Sequence, residues 1–188
     1  MKKKILLIIS IIITMSICSG CGLLTQKDKT TDISDYSEYL GTEGKHPNDI
    51  FPQSIPISAV IEDFCYYYYN SWDPNHVVYL VYSCNEEDYA KETERLSKLN
   101  SSSDYLIYGG TGFNYPICAI LADSYNGYIY ALADKDNNRL IYVEITFCDY
   151  FSDINYEEII DKEYLLKGFD AKLGNSTRRA FEKGELNK

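Results

Sequence analysis

The sequence predicts an α+β fold: an antiparallel sheet of five or six strands arranged as a meander, with one main helix packed on it. Three observations carry that expectation. Short segments rich in Tyr, Val and Ile alternate with polar turns, as half-buried strands require. One stretch, "NEEDYAKETERLSKL", combines helical spacing of apolar residues with signals at both ends. Two connections, "SYNG" (124–127) and "KDNN" (135–138), have hairpin-turn chemistry.

Taken in order, residues 22–31, "GLLTQKDKTT", are polar and read as a flexible tether. Fully extended, such a stretch reaches roughly 35 Å. Residues 32–41 can form one or two helical turns, capped by Asp32 or Ser34 and ended by Gly41. Residues 41–49 are loop. The first strand is expected within Val60–Asn70 and the second within 77–84. The main helix spans 86–99. Asn85 caps it, and Glu86, Glu87 and Asp88 fill the first turn, where the helix dipole favours acids. Tyr89, Thr93, Leu96 and either Leu99 or Asn100 share one face, and Arg95 and Lys98 sit near the end. Further strands are expected at 105–108, 116–122, 128–134 and 139–148, and a last short helix over 156–162. The division is 1–20 leader, 21–34 tether, 35–173 one globular domain and 174–188 polar tail.

Alternation sets a register for the last three strands. Ile141, Val143, Ile145 and Phe147 share one face, which is taken as the core face. A turn at Asp136-Asn137 pairs Leu132 with Ile141 and Tyr130 with Val143. A turn at Asn126-Gly127 pairs Leu121 with Leu132. Ile117, Ala119, Leu121, Tyr128, Tyr130 and Leu132 then join the core face. In this register Cys118 and Cys148 lie about 30 Å apart, beyond disulfide reach. Cys65 lies opposite Cys84 if "DPNH" (73–76) is a tight turn, which makes that pair the candidate disulfide. The four cysteines of the domain otherwise allow two disulfides or buried free thiols, and their wide spacing does not suit zinc.

Tyrosine is abundant, with 19 residues, four of them consecutive at 66–69. On a strand, Tyr66 and Tyr68 face one way with Phe64, and Tyr67 and Tyr69 face the other with Cys65. The four rings cannot form one platform. The candidate ligand contacts are Tyr66, Tyr68, Trp72 and Tyr79, with Gly109, Gly110, Phe113 and Tyr115 of the glycine-rich "YGGTGFNYP" as a rim.

Catalytic signals are sparse. The two histidines, His46 and His76, each stand beside a turn-forming proline or asparagine and read as solvated loop residues. A nucleophilic pair of His76 with Cys65 or Cys84 has no local signature. G-x-S-x-G, H-E-x-x-H and a phosphate-loop G-K-[ST] are absent. "DKDNNR" (134–139) begins like a calcium loop but has Arg139 where glycine belongs and Ile145 at the twelfth position, so it reads as a hairpin turn. No cofactor or metal is expected.

The chain opens "MKKKILLIISIIITMSICSGCG": three lysines, an apolar run and small residues before Cys21. The stretch Cys18-Ser19-Gly20-Cys21 resembles the lipobox of bacterial lipoprotein precursors, with Cys18 where an aliphatic residue is usual. The resemblance covers residues 1–21 alone. It implies cleavage after Gly20, a diacylglycerol on the Cys21 sulfur, and a mature protein held by lipid on the outer face of the cytoplasmic membrane. Loss of residues 1–20 removes Lys2, Lys3 and Lys4 and no acid, leaving 15 basic and 28 acidic residues, a net charge of −13. That balance disfavours nucleic acid and anionic surfaces. The expected role is a non-enzymatic module that binds an envelope protein or glycan. The alternatives are an inhibitor or immunity-type lipoprotein, and a weakly marked hydrolase.

Overall fold

The computed structural model describes residues 26–70, 74–100, 112–123, 127–146 and 154–167. Six antiparallel strands make one sheet: β1 (Gln26–Thr30), β2 (Val60–Asn70), β3 (Pro74–Ser83), β4 (Ile117–Asp123), β5 (Gly127–Asp134) and β6 (Arg139–Thr146). Their order across the sheet is β1-β2-β3-β6-β5-β4. The strands thus form two three-stranded meanders joined through β3 and β6, rather than one. Two short α-helices, α1 (Tyr36–Tyr39) and α2 (Glu86–Ser97), accompany the sheet among the described residues, so sheet dominates. None of the described helices is long and apolar enough to cross a membrane.

α2 forms for the reasons visible in its sequence. The Asn85 side chain accepts a hydrogen bond from the Asp88 amide, three acids occupy the first turn and Arg95 the last. Leu96 is its one fully buried residue, with Tyr89 and Leu99 half-buried beside it. The Asp32 side chain likewise accepts from the Ser34 amide, opening a 3-10 turn (Ile33–Asp35) that leads into α1. The expected helix over 156–162 is instead two 3-10 turns, Tyr156–Glu158 and Lys162–Tyr164.

β1 lies inside the segment read as a tether. It pairs with β2 from Gln26↔Asn70 to Thr30↔Tyr66. "QKDKT" carries no apolar residue, and the strand is held by its ladder and by Lys27 and Lys29, whose ammonium groups lie 5.2 and 5.4 Å from the centre of the Tyr67 ring. Such a charged edge also discourages further strand pairing.

Both sheet faces are buried, where one core face was expected. On the first, Tyr79, Val81, Tyr128, Tyr130, Leu132, Ile141, Val143 and Ile145 are covered by Ile154, Tyr156, Ile160, Tyr164 and Leu166. On the second, Phe64, Tyr66, Tyr68, Val78, Leu80, Tyr82, Leu140 and Tyr142 are covered by Tyr36, Leu40, Ile50, Phe51 and Leu96. Burial on both faces explains why β3 and β6 read as near-continuous apolar runs.

The expected β5–β6 pairs are found, Leu132↔Ile141 and Tyr130↔Val143. The connection holding that register is a 3-10 turn (Lys135–Asn137) closed by Asn138 at φ 47°. The β4–β5 register differs. Leu121 faces Ile129, and Ile117 faces Leu132 across a bulge between Ile117 and Ala119. Ile117 and Leu121 are therefore exposed, at 37% and 41%, Ala119 packs on the second face, and Ile120 joins the first. The strand expected at 105–108 and residue Cys148 lie outside the described residues.

Gly127 opens β5 at φ 116°, and a Cβ there would collide with the Ile145 carbonyl oxygen. Gly127→Ala is expected to destabilise the domain by about 2 kcal/mol or more, read as a lower urea midpoint.

Candidate functional site

Two polar constellations stand out, both on the second sheet face. The first is open. The connection before β2 contributes Pro52, Gln53, Ser54, Pro56 and Ile57, β3 contributes Tyr82, and α2 contributes Asp88, Lys91, Glu92 and Arg95. Together they line a groove of ~490 Å³, within the range of ligand sites.

Its floor is a hydrogen-bonded chain. Tyr82 and Tyr142 stack with centroids 5.9 Å apart and their hydroxyls 3.3 Å apart. The Tyr142 hydroxyl donates to Glu92 Oε1 at 2.7 Å. Arg95 grips the same carboxylate with two donors, Nε to Oε2 at 2.8 Å and Nη2 to Oε1 at 2.6 Å. Arg95 also donates to the carbonyls of Asp49 and Ile50 at 2.6 and 2.7 Å, which ties α2 to the segment forming the opposite wall. Burial raises the Tyr82 and Tyr142 hydroxyls well above the ordinary phenol range, so both stay protonated donors. The rim is apolar where Ile57 stands fully exposed. The groove therefore presents the partly exposed Glu92–Arg95 pair, held from beneath by the buried Tyr142, beside an apolar rim.

The second constellation is closed. His76 of β3 sits on the face it shares with Val78 and Leu80, and Tyr68 is its cross-strand partner. The His76 ring meets Tyr68 and His46 edge-on, each at 4.9 Å, while His46 stacks on Tyr68 at 4.7 Å. His76 Nδ1 lies 3.6 Å from Glu144 Oε1. The Asn48 amide donates to Glu144 Oε2 at 3.3 Å, and the Thr146 hydroxyl to Oε1 at 3.5 Å. Burial raises the Glu144 carboxyl to about 7, with the Thr146 bond opposing. Burial, then His46, lowers His76 to about 4. Burial also lowers His46, so near pH 7 both histidines are neutral, while Glu144 holds its proton well above the ordinary carboxylate range.

The histidines are thus packed, not solvated as expected. β3 begins at Pro74, three residues earlier than its apolar run suggests, and so takes in His76. Cys65 points to the opposite face with Tyr67 and Tyr69, so it forms no pair with His76. The sequence did carry one signal of this cluster: Glu144 stands alone as a charge within the apolar β6 run "LIYVEIT". Among the described residues, no three His, Cys, Asp or Glu side chains are placed to hold a metal ion.

The tyrosine platform is not available to a ligand. Tyr66, Tyr68 and Tyr79 are buried, at 0%, 6% and 3% exposure. Tyr66 stacks on Tyr39 at 4.1 Å. Phe113 packs half-buried on Tyr130 at 4.8 Å. Tyr115 donates to Glu163 and accepts from Arg139, whose guanidinium lies 5.7 and 5.6 Å from the centres of the adjacent Tyr115 and Tyr164 rings. Trp72, Gly109 and Gly110, like Cys21, lie outside the described residues. Cys65 and Cys84 are free: the β2–β3 hairpin closes at Asn70↔Pro74, so Cys65 faces Tyr79 rather than Cys84. Cys118 is free as well.

The Tyr66 hydroxyl is buried without a hydrogen-bond partner among the described residues. Tyr66→Phe is expected to leave the folded domain as stable or more stable by about 1 kcal/mol, because it removes an unsatisfied buried polar group. Thermal melts of the two proteins check this.

No family model matches the chain, and no curated protein or solved structure matches it.

Proposed function

We propose that this chain is a lipid-anchored extracytoplasmic binding module, an α+β domain with α2 as its main helix, whose groove along α2 holds an extended segment of an envelope protein. The observation that carries this reading is the groove itself. It pairs apolar groups, the exposed Ile57 and the half-buried Pro56, with charged groups from Asp88, Lys91, Glu92 and Arg95. Alternate apolar and polar contacts along a cleft suit a peptide backbone and its side chains. A glycan is the second ligand class for the same surface, through the carboxylates of Asp88 and Glu92.

The hydrolase reading is weaker. His76 and Glu144 approach each other, but they are closed in by Tyr68, His46 and Asn48. The lipid on Cys21 and residence on the outer face of the cytoplasmic membrane belong to the same proposal and rest on the leader and the lipobox-like stretch.

Ile57→Asp tests the groove, since Ile57 is fully exposed and its loss leaves the core intact. Partner recovery from cross-linked cells is expected to fall at least about tenfold while the melting temperature stays unchanged. Unchanged recovery would move the binding surface elsewhere.

A further inference from the structure

We infer that β1 fixes the orientation of the domain on the membrane, with the strand ends beside Gln26 facing the lipid headgroups and the α2 groove facing away. This rests on the proposed lipid anchor at Cys21, and it adds which side the groove's ligand comes from.

The first step is a length. β1 takes residues 26–30 out of the tether, leaving four residues between Cys21 and Gln26. Whatever their conformation, they place Gln26 at most roughly 18 Å from Cys21. The ladder then fixes what lies beside Gln26. Gln26 faces Asn70, Asn70 faces Pro74, and Thr146 and Gly127 close the same end of the sheet.

The groove lies toward the other end. Tyr82 is eight positions along β3 from Pro74, roughly 26 Å at strand rise. α2 starts beyond the far end of β3, at Glu86. The anchor strand thus reaches one end of the sheet and the groove opens near the other.

Charge favours the same pose. β1 carries Lys27 and Lys29 against the single acid Asp28. The groove end carries Glu86, Glu87 and Asp88 in the first turn of α2. An anionic membrane surface attracts the former and repels the latter. A domain lying on its second face would press the α2 acids into the headgroups. A ligand of the groove therefore arrives from the aqueous or wall side, as a water-exposed chain, and not from within the bilayer.

The experiment uses the full lipidated protein, purified from membranes and reconstituted in vesicles of phosphatidylcholine and phosphatidylglycerol. A photo-cross-linking residue is placed at Asn70 or at Asp136, the latter in the exposed turn at the far end. Lipid adducts are read by mass spectrometry, and the same data report the acyl mass on Cys21. Lipid adducts are expected at Asn70 and only background at Asp136. A long Gly/Ser insertion after Thr25 is expected to abolish that difference. Equal adducts at both positions, with Cys21 acylated, would overturn the orientation and leave the anchor standing. An unacylated Cys21 would overturn both the anchor and the orientation.

Discussion

Replacing Glu144 by glutamine is expected to change the pH dependence of stability by about 3 kcal/mol between pH 4.5 and 7. The Glu144 carboxyl has its ordinary value of 4.5 when unfolded and about 7 when folded. The folded state therefore holds a proton that the unfolded state has released. Below about pH 4.5 the group is neutral in both states and costs nothing. As pH rises through the window, ionisation favours the unfolded chain by about 1.4 kcal/mol per unit, and the cost levels off above about 7. His76 behaves oppositely. Its value falls from 6.5 to about 4 on folding, so protonation favours the unfolded chain as pH drops through that range. In the wild type the two slopes overlap and nearly cancel. Glu144→Gln removes one and exposes the other, so stability relative to wild type rises toward neutral pH. His76→Gln exposes the Glu144 slope instead, and its stability relative to wild type rises toward acid. Taking each variant as a difference from wild type removes the effect of other carboxylates such as Glu94 and Asp134, whose values are lowered by their hydrogen-bond partners. Urea unfolding at pH 4.5, 5.5 and 7.5 measures it. A Glu144→Gln difference that does not vary with pH would show that Glu144 is not held neutral by burial.

Leu96→Ala is expected to cost about 2–5 kcal/mol, the range for truncating a fully buried leucine. Leu96 is 0% exposed and is the one buried residue that α2 contributes to the second core cluster, which also holds Tyr36, Phe51 and Leu80. Loss of its side chain leaves α2 held by Arg95 and by the half-buried Tyr89 and Leu99. The groove should loosen with the helix, because α2 supplies Asp88, Lys91, Glu92 and Arg95. Hydrogen exchange of the α2 amides should accelerate more than that of β6. Equal acceleration would mean that the helix and sheet open together.

What was legible in the sequence follows from how each element is held. β2, β3, β5 and β6 announce themselves because β-branched and tyrosine residues fit a pleated surface buried on both sides. α2 announces itself through Asn85 and its acidic first turn. β1 does not, because "QKDKT" owes its strand to pairing with Tyr66–Asn70 and not to its own residues. The coverings of the sheet were equally hidden. Residues such as Ile50, Phe51, Ile160 and Tyr164 sit in irregular chain, where no period marks them. The burial of Leu121 was misjudged through the turn, which closes at Asp123↔Gly127 and sets Leu121 opposite Ile129, while Ile117 lies beyond a bulge. The groove depends on Arg95 reaching Asp49 and Ile50, a long-range contact that no local pattern encodes. The His76–Glu144 cluster depends on where the hairpin closes, and a turn three residues later would have left His76 in a loop.

The most direct test of the groove as the binding surface is photo-cross-linking in intact cells from two exposed positions, Ile57 at the groove rim and Glu157 over the opposite sheet face. Adducts with one envelope protein at Ile57, absent at Glu157 and lost when Lys91 and Arg95 are replaced together, are the expected result. Adducts of the same protein at Glu157 with none at Ile57 would contradict it and place the binding surface on the other side of the sheet.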